Sequence, residues 1–334
     1  MEETAVPPPL PELSSPVAVL VQQFAPHDQP IVITGPIGVG KTWLAHFIHQ
    51  RSGRAGAFVP VPLTSLQQGF EHVTLAGHDK GAYTGAHQPR KGLLAEANRG
   101  TLFLDEIGDA STEGQRLLLE LLTDRGLRRL GEERRVRYDL RFILATHVDL
   151  DAAVVQGRFR EDLLSRLGNC WIHLPPLRER SEEIPALIFH YLGRARVERA
   201  LPPLRIAPDL LAALVAAPWL YNIRSLVSEC QALATSSPSD RILRTEHLSA
   251  RFWAEVRRHL ASLDSPDERV TWALAVTAGH RKRAADLLEV SERTIYRHTT
   301  GREELRTERT RQKSSSPGDL TSPVGRDRMS GPAA

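Results

Sequence analysis

One glycine-rich segment, preceded by an apolar run, most constrains the fold of this chain. Residues 35–42 read Gly-Pro-Ile-Gly-Val-Gly-Lys-Thr, which fits the pattern G-x-x-x-x-G-K-[ST]. The apolar run at 31–33 predicts a buried strand before the segment, and residues 43–48 predict a helix after it. A strand, a glycine loop and a helix N-terminus form the setting in which backbone N–H groups bind phosphates. The chain is therefore expected to be an α/β protein with a phosphate-binding loop.

The loop also predicts its cofactors. Lys41 would reach the β- and γ-phosphates of ATP, and the hydroxyl of Thr42 would bind Mg²⁺. The alternative is a glycine-rich turn that fits the pattern by chance, which the flanking strand and helix disfavour. The other loop residues expected to contact the nucleotide are Gly35, Pro36, Ile37, Gly38, Val39 and Gly40.

Residues 101–106 predict an apolar strand that ends in two carboxylates, Asp105 and Glu106. Asp105 is expected to hold Mg²⁺, and Glu106 to orient or deprotonate the attacking water. Acidic residues also occur at strand ends for structural reasons alone. The phosphate loop upstream favours the catalytic interpretation.

Further apolar runs alternate with helical patterns and predict a mostly parallel sheet covered on both faces. These runs lie at 58–61, 140–147 and 170–174. His147, at the end of the second run, is either a structural histidine or a sensor of the γ-phosphate. From residue 181 onward strand signals vanish, and amphipathic patterns at 184–192, 208–216 and 221–233 predict a helical lid.

The C-terminal part is expected to be helical and basic. Helical patterns lie at 270–277, 283–288 and 292–298. Residues 269–313 hold 11 Lys or Arg against 6 Asp or Glu, which suits nucleic acid or simply a solvated tail. The expected domains are a short leader (1–28), an α/β ATPase subdomain (29–176), a helical lid (177–250), a linker with three helices (251–299) and a disordered basic tail (300–334).

Several classes of protein are disfavoured by the sequence. No apolar run approaches the ~18 residues of a membrane span. The N-terminus is acidic and proline-rich, unlike a secretory signal. Two cysteines, Cys170 and Cys230, are too few for a disulfide framework or a zinc site. A cytoplasmic location is expected, with no membrane partner.

In order along the chain, these motifs resemble those of the bacterial enhancer-binding activators of sigma-54 RNA polymerase, a branch of the AAA+ ATPases. The resemblance covers residues 29–298. Besides the phosphate loop and the carboxylates, it includes the segments 75–86, 157–167 and 174–180, and Pro218-Trp219 with Asn222-Ile223-Arg224. It implies an AAA+ sheet with a helical lid, and the short N-terminal stretch implies that no sensory domain precedes them.

The resemblance assigns further site residues. Arg160 and Arg166 match the arginine fingers that act on a neighbouring subunit's nucleotide, and Arg224 matches the nucleotide sensor of the lid. His147 stands at the first sensor. The segment Gly81, Ala82, Tyr83, Thr84, Gly85 and Ala86 matches the loop that contacts sigma-54, although taken alone it is only a flexible loop of small residues. A homo-oligomeric ring, by resemblance a hexamer, is implied.

The last three helices resemble a Fis-like helix-turn-helix. In it, Ser291 would cap the recognition helix, Arg293 and Arg297 would meet the major groove and backbone of double-stranded DNA, and Lys282 and Arg283 would meet phosphates. Glu292 and Thr294 complete the predicted DNA-binding set. The alternative is that these arginines form a solvated helix face.

The chain departs from the family pattern at several positions. Pro62 replaces the asparagine that pairs with the catalytic glutamate, and His147 replaces the asparagine of the first sensor. Ala76 replaces a phenylalanine, and Tyr221 and Ser225 replace the glycine and glutamate that flank the lid motif. Glu289 stands where the family prefers glycine in the turn.

The sequence therefore predicts an ATP-dependent activator that binds upstream DNA and remodels closed complexes of sigma-54 RNA polymerase. A first alternative is a DNA-binding AAA+ regulator that uses ATP for assembly without remodelling polymerase, which Pro62 favours. A second is a general remodelling ATPase whose basic C-terminus is only a tail.

Overall fold

A five-stranded parallel sheet organises the first part of the molecule. The computed structural model describes residues 16–67, 69–82, 87–132 and 135–298. Its strands are β1 (Ile31–Thr34), β2 (Phe58–Pro62), β3 (Gly77–His78), β4 (Arg90–Lys91), β5 (Thr101–Asp105), β6 (Gly126–Arg128), β7 (Arg135–Arg137), β8 (Arg141–Thr146), β9 (Cys170–His173), β10 (Arg205–Ile206) and β11 (Ile242–Leu243). The sheet order is β2-β5-β8-β1-β9.

Helices account for much of the remaining described chain. They are α1 (Pro16–Phe24), α2 (Lys41–Arg51), α3 (Glu71–Ala76), α4 (Leu93–Glu96), α5 (Thr112–Asp124), α6 (Leu150–Val155), α7 (Glu161–Arg166), α8 (Ile184–Glu198), α9 (Pro208–Ala216), α10 (Asn222–Thr235), α11 (Ala250–Ser262), α12 (Pro266–Val276) and α13 (Arg281–Leu288). Residues 292–298 are also helical, and 3₁₀ segments include Ile107–Asp109 and Leu177–Glu183.

Residues of the central strands alternate between two apolar clusters. Ile31 and Ile33 pack with residues of α2, whereas Val32 packs on the opposite face with residues of α5. In β8, Ile143 and Leu144 divide between the clusters in the same way. Successive strand residues point to opposite faces, so this alternation means that both faces are covered. The predicted parallel sheet with both faces covered is confirmed.

Helix α1 is part of this core. Val21 and Ala25 are 3% and 2% exposed and belong to the cluster that contains α2. Arg141, at the start of β8, donates to the carbonyl oxygen of Phe24 at 3.0 Å and also to that of Ala25. The sequence predicts only a short leader over residues 1–28. The burial shows that their described part packs against the sheet.

The lid contains the three predicted helices, α8, α9 and α10, and two features that the sequence analysis missed. Strands β10 and β11 form a short parallel pair, although no strand was predicted after residue 181. Each has only two residues, too few to show an alternating pattern. Helix α11 was also not predicted. Its Phe252 is 4% exposed and packs edge-on against Trp219, with ring centroids 5.8 Å apart.

The described part of a second unit, residues 260–334, contains α12, α13 and the helical residues 292–298. Val270, Ala285 and Ile295 form its small apolar cluster. Glu289 follows α13 in the left-handed region with φ 57°, a backbone conformation that glycine adopts more easily. The predicted disordered tail, 300–334, lies outside the described residues. In the described part of the chain, every helix is too short or too polar to cross a membrane.

Candidate active site

The predicted phosphate loop joins β1 to α2, with its glycines in conformations that other residues avoid. Gly38 and Gly40 have φ of 78° and 105°. A Cβ atom built on Gly38 would lie 2.3 Å from the carbonyl oxygen of Tyr221. Both backbone conformation and space therefore require glycine at position 38.

Lys41 lies at the first turn of α2 and is 6% exposed. Its Nζ atom donates to the carbonyl oxygens of Gly35 at 3.0 Å and Pro36 at 3.3 Å. It also lies 3.5 Å from Oε1 of Glu106. The ammonium group thus lies between the loop and the predicted catalytic carboxylate, where it would neutralise the oxygens of a bound phosphate.

Thr42 and Asp105 lie side by side. The hydroxyl of Thr42 donates to Oδ2 of Asp105 at 3.4 Å. Burial, and next the charge of Glu106, raise the pKa of Asp105, while Lys41 acts in the opposite direction. A hydroxyl and a carboxylate are oxygen ligands of the kind that Mg²⁺ prefers, and a cation would stabilise the ionised carboxylate. The two side chains fit the predicted magnesium site.

Glu106 follows β5 in the left-handed region with φ 58°, so it leaves the strand that the sequence analysis extended to it. Its Oε2 accepts from Nδ1 of His147 at 2.7 Å and from the backbone N–H of His147 at 3.2 Å. Burial acts to raise the pKa of Glu106, but the hydrogen bond from His147 and the charge of Lys41 outweigh it and lower the pKa. The carboxylate is therefore held ionised, the form that accepts a proton from water.

Pro62 is the last residue of β2 and pairs with Asp105 in the sheet register. A proline side chain has no group to bond the carboxylate of Glu106. His147, which follows β8, donates a hydrogen bond to that carboxylate instead. Position 147 thus supplies the hydrogen bond that the family pattern places at position 62.

A cavity of about 290 Å³ adjoins these residues. The loop from Ile37 to Thr42, together with Asp105 and Glu106, lines one part of it, and Arg224 lines it from the lid. Its apolar lining includes Val17, Leu174, Leu187, Tyr191 and Ile223. A charged part beside an apolar part suits a ligand with a phosphate chain and a flat apolar ring system.

Arg160 and Arg166 are not brought to this cavity; among the described residues that line it, neither occurs. Both are exposed, at the start and end of α7. The guanidinium of Arg160 makes a two-pronged contact with Asp162, at 3.0 and 2.7 Å. Its backbone N–H donates to Oε1 of Gln115 at 3.0 Å, so α5 fixes where the segment before α7 begins.

The predicted sigma-54 loop is only partly described. Gly81 and Ala82 lie between β3 and β4, which pair antiparallel at the base of the loop. The N–H of Ala82 donates to the carbonyl oxygen of Asp79 at 3.3 Å. Tyr83, Thr84, Gly85 and Ala86 lie outside the described residues.

The predicted DNA-binding residues lie in α13 and in residues 291–298 after it. The N–H of Thr294 donates to the hydroxyl of Ser291 at 3.2 Å, which confirms the predicted cap. The other residues of the set are exposed, and they are Lys282, Arg283, Glu292, Arg293 and Arg297.

Two residues beside the phosphate loop were given no function by the sequence analysis. Arg180 donates to the carbonyl oxygen of Val39 at 2.5 Å, and Asn222 donates to that of Ile37 at 2.8 Å. Both lie in segments that carry the family resemblance, and this resemblance is the only sequence signal that could have indicated a function for them. No sequence pattern indicates which atoms they contact, because each lies more than a hundred residues from its partner in the chain.

Two family models and several known proteins match this chain. Residues 12–173 match the Sigma-54 interaction domain, and residues 178–263 match the AAA+ ATPase lid domain. The chain is 37% identical over 281 residues to the DNA-binding transcriptional regulator NtrC of Escherichia coli, covering 81% of this chain and 60% of NtrC. It is 41% identical over 223 residues to the hydrogenase transcriptional regulatory protein HoxA of Cupriavidus necator, covering 66% of this chain and 46% of HoxA.

A solved structure is also similar. NtrX from Brucella abortus, crystallised in complex with ATP, matches with a TM-score of 0.64 at 28% identity, over 85% of this chain and 66% of that one. The chain thus spans about 60% of the length of NtrC and 66% of the NtrX chain. Residues 12–173 and 178–263 are thus similar, in that order, to a sigma-54 interaction domain and an AAA+ ATPase lid domain.

Proposed function

We propose that this protein is an ATPase that activates transcription by remodelling closed complexes of sigma-54 RNA polymerase. The observation that carries the proposal is the convergence of Lys41, Thr42, Asp105 and Glu106 at the carboxyl ends of β1 and β5, in a chain that matches the sigma-54 interaction domain. In open parallel sheets this edge is where ligands bind.

The residues of the site would divide the work of hydrolysis. Bound ATP would supply the phosphoryl group that water attacks, and Mg²⁺ would neutralise charge on the phosphate oxygens. The amides of the loop and Lys41 would hold the phosphate oxygens, while Thr42 and Asp105 would hold the cation. Glu106 accepts the proton of the attacking water, and His147 fixes the carboxylate through its 2.7 Å hydrogen bond. Arg224 contacts the nucleotide from the lid.

Completion of the site requires a second copy of the chain. Arg160 and Arg166 are exposed and do not line their own cavity. An arginine supplied from a neighbour stabilises the charge that develops in phosphoryl transfer. Such head-to-tail contacts close into a ring, for which the family resemblance implies six subunits.

Two further surfaces would connect hydrolysis to transcription. The loop of residues 81–86 would contact sigma-54 at its tip. The helices around Ser291 would act as a helix-turn-helix, with Arg293 and Arg297 on the major groove and Lys282 and Arg283 on phosphates. All four cationic side chains are exposed, which supports this assignment.

ATP hydrolysis by the purified protein tests the catalytic part of the proposal. We expect turnover that stops when EDTA removes Mg²⁺. Lys41→Ala should abolish nucleotide binding, because the loop then lacks its ammonium group. Glu106→Gln should still bind ATP but not hydrolyse it, since an amide does not accept the proton. A wild-type protein that stays inactive at every concentration at which it assembles would contradict the proposal.

Pro62 favours a second candidate function, that of a DNA-binding AAA+ regulator that uses ATP only for assembly. Glu106 has its hydrogen bonds with His147, not with the end of β2, so the link between hydrolysis and the sigma-54 loop differs from the family pattern. Genome-wide occupancy compared with that of sigma-54 separates the candidates. Only an activator of sigma-54 polymerase should coincide with sigma-54 at promoters.

A further inference from the structure

The carbonyl oxygens of residues 35–39 in the phosphate loop all accept hydrogen bonds. Lys41 holds those of Gly35 and Pro36. The next three oxygens, of residues 37, 38 and 39, accept hydrogen bonds from residues that follow the last strand of the sheet. The loop is therefore shaped by the lid as well as by its own lysine.

Arg180 holds the carbonyl oxygen of Val39. Its Nη2 donates to this oxygen at 2.5 Å, and its Nη1 donates to Oε2 of Glu183, just before α8, at 3.1 Å. The side chain of Arg180 is 11% exposed and that of Glu183 18%. A mostly buried guanidinium with its charge paired has little freedom to turn away, so it fixes the peptide between Val39 and Gly40.

Asn222 and Ile223, at the start of α10, hold the other two oxygens. Nδ2 of Asn222 donates to Ile37 at 2.8 Å, and Oδ1 of the same side chain accepts from the N–H of Leu177 at 2.7 Å. The N–H of Ile223 donates to the carbonyl oxygen of Gly38 at 2.9 Å. Asn222 has φ 55°, a left-handed conformation that asparagine tolerates better than most residues.

The geometry of the peptide bond turns these contacts into an effect on phosphate binding. In a trans peptide the C=O and the following N–H point in opposite directions. Holding the oxygens of Ile37, Gly38 and Val39 away from the concave face therefore directs the N–H groups of the next residues into it. Successive N–H groups that converge in this way form an anion-binding concavity.

We propose that Arg180 and Asn222 are positioning residues that preorganise the phosphate loop, so that the lid sets the affinity for the β-phosphate of the nucleotide. The inference rests on the proposed nucleotide site and adds these two residues to it. Neither side chain needs to touch the nucleotide to have this effect.

The test compares ADP with AMP, which lacks the β-phosphate. Arg180→Lys keeps a charge opposite Glu183 but loses the planar group that reaches both partners. Asn222→Gly keeps a residue that adopts φ 55° without strain and removes the amide donor. We expect each variant to bind ADP about tenfold more weakly and AMP with unchanged affinity. A tenfold change corresponds to the loss of roughly one well-placed hydrogen bond. Titration calorimetry, with AMP measured by competition against ADP, gives the ratio of the affinity for ADP to the affinity for AMP, the ADP-to-AMP ratio.

Arg196→Lys is the matched control. Arg196 is 4% exposed in α8 and donates to the carbonyl oxygens of Pro202, Ala234 and Ser236, all within the lid. It should lower thermal stability without changing the ADP-to-AMP ratio. An unchanged ratio in both loop variants, or an equal loss in Arg196→Lys, would overturn the positioning assignment. A wild-type protein with no preference for ADP over AMP would overturn the nucleotide site itself.

Discussion

At the residue scale, the carboxylate of Glu106 contacts two side chains, one at each oxygen. Lys41 lies 3.5 Å from Oε1, and His147 donates to Oε2 at 2.7 Å. Bound phosphate would compete for Lys41, whereas His147 lies on a different strand end and keeps its contact. We infer that His147 orients Glu106 during hydrolysis, in addition to its predicted place as a sensor.

His147→Ala should therefore lower kcat by about 10–100-fold, part of the 10²–10⁴ that a positioned base contributes. The KM for ATP should change little, because the loop and Lys41 remain. Steady-state kinetics over a range of ATP concentrations measures both. A rise in kcat would show the reverse, that His147 restrains the carboxylate.

The residues of the loop and the two carboxylates could be predicted because their spacing in the chain is itself the pattern. Gly35, Lys41 and Thr42 fall within the short segment 35–42, and Asp105 directly follows an apolar run. Arg180 and Asn222 could not be given a function in the same way. Their partners Val39 and Ile37 are 141 and 185 residues distant, so only the fold reveals the contacts.

At the element scale, α1 is fixed to the sheet by one buried guanidinium. Arg141 is 1% exposed and donates to the carbonyl oxygens at the end of α1. Burial lowers the pKa of Arg141, with the charge of Asp28 acting against it. The last carbonyls of a helix have no partner within the helix, so such a donor satisfies them.

Arg141→Leu should lower the free energy of unfolding by about 1–3 kcal/mol, because it leaves the buried carbonyl oxygen of Ala25 without its donor. Urea unfolding measures the change. Arg116→Leu is the control: Arg116 is 51% exposed and pairs with Glu113 and Glu120 on the surface of α5. Its loss should cost at most about 0.5 kcal/mol. Equal effects of the two changes would show that α1 is not held in this way.

The elements themselves were predictable where they are long and periodic. The strands of the central sheet and the helices α5, α8, α9 and α10 follow from apolar runs and helical spacing. The two-residue strands β10 and β11 carry too little pattern to be recognised, and the sequence predicts a linker where α11 lies. Glu106 was assigned to β5 because a left-handed residue leaves no mark in composition.

At the scale of the whole molecule, a site completed between subunits should behave differently in mixtures. Lys41→Ala removes nucleotide binding from one subunit, and Arg160→Ala removes an arginine that acts on its neighbour. Neither variant should hydrolyse ATP alone. Their mixture should recover part of the activity, since one kind of mixed interface then has both an intact loop and an intact arginine.

The concentration dependence of the wild-type hydrolysis rate tests the same assignment, because assembly should make the rate rise more than linearly with protein concentration.

Arg158→Ala serves as the control for the mixture. Arg158 is exposed in the same segment, and its side chain contacts Gln156. This variant should be active by itself. Mixtures that stay inactive, with an enzyme that works as a monomer, would contradict the assignment of Arg160.

The central claim, that hydrolysis drives contact with sigma-54, is tested most directly by binding to purified sigma-54 in the presence of a transition-state analogue of ATP. Wild-type protein and Tyr83→Phe, which keeps the aromatic ring, should bind only when the analogue is present. Thr84→Ala should hydrolyse ATP and assemble normally but fail to bind, because position 84 is at the predicted tip of the loop and not in the nucleotide site. Unchanged binding by Thr84→Ala, or a wild-type protein that hydrolyses ATP and never binds sigma-54, would contradict the account.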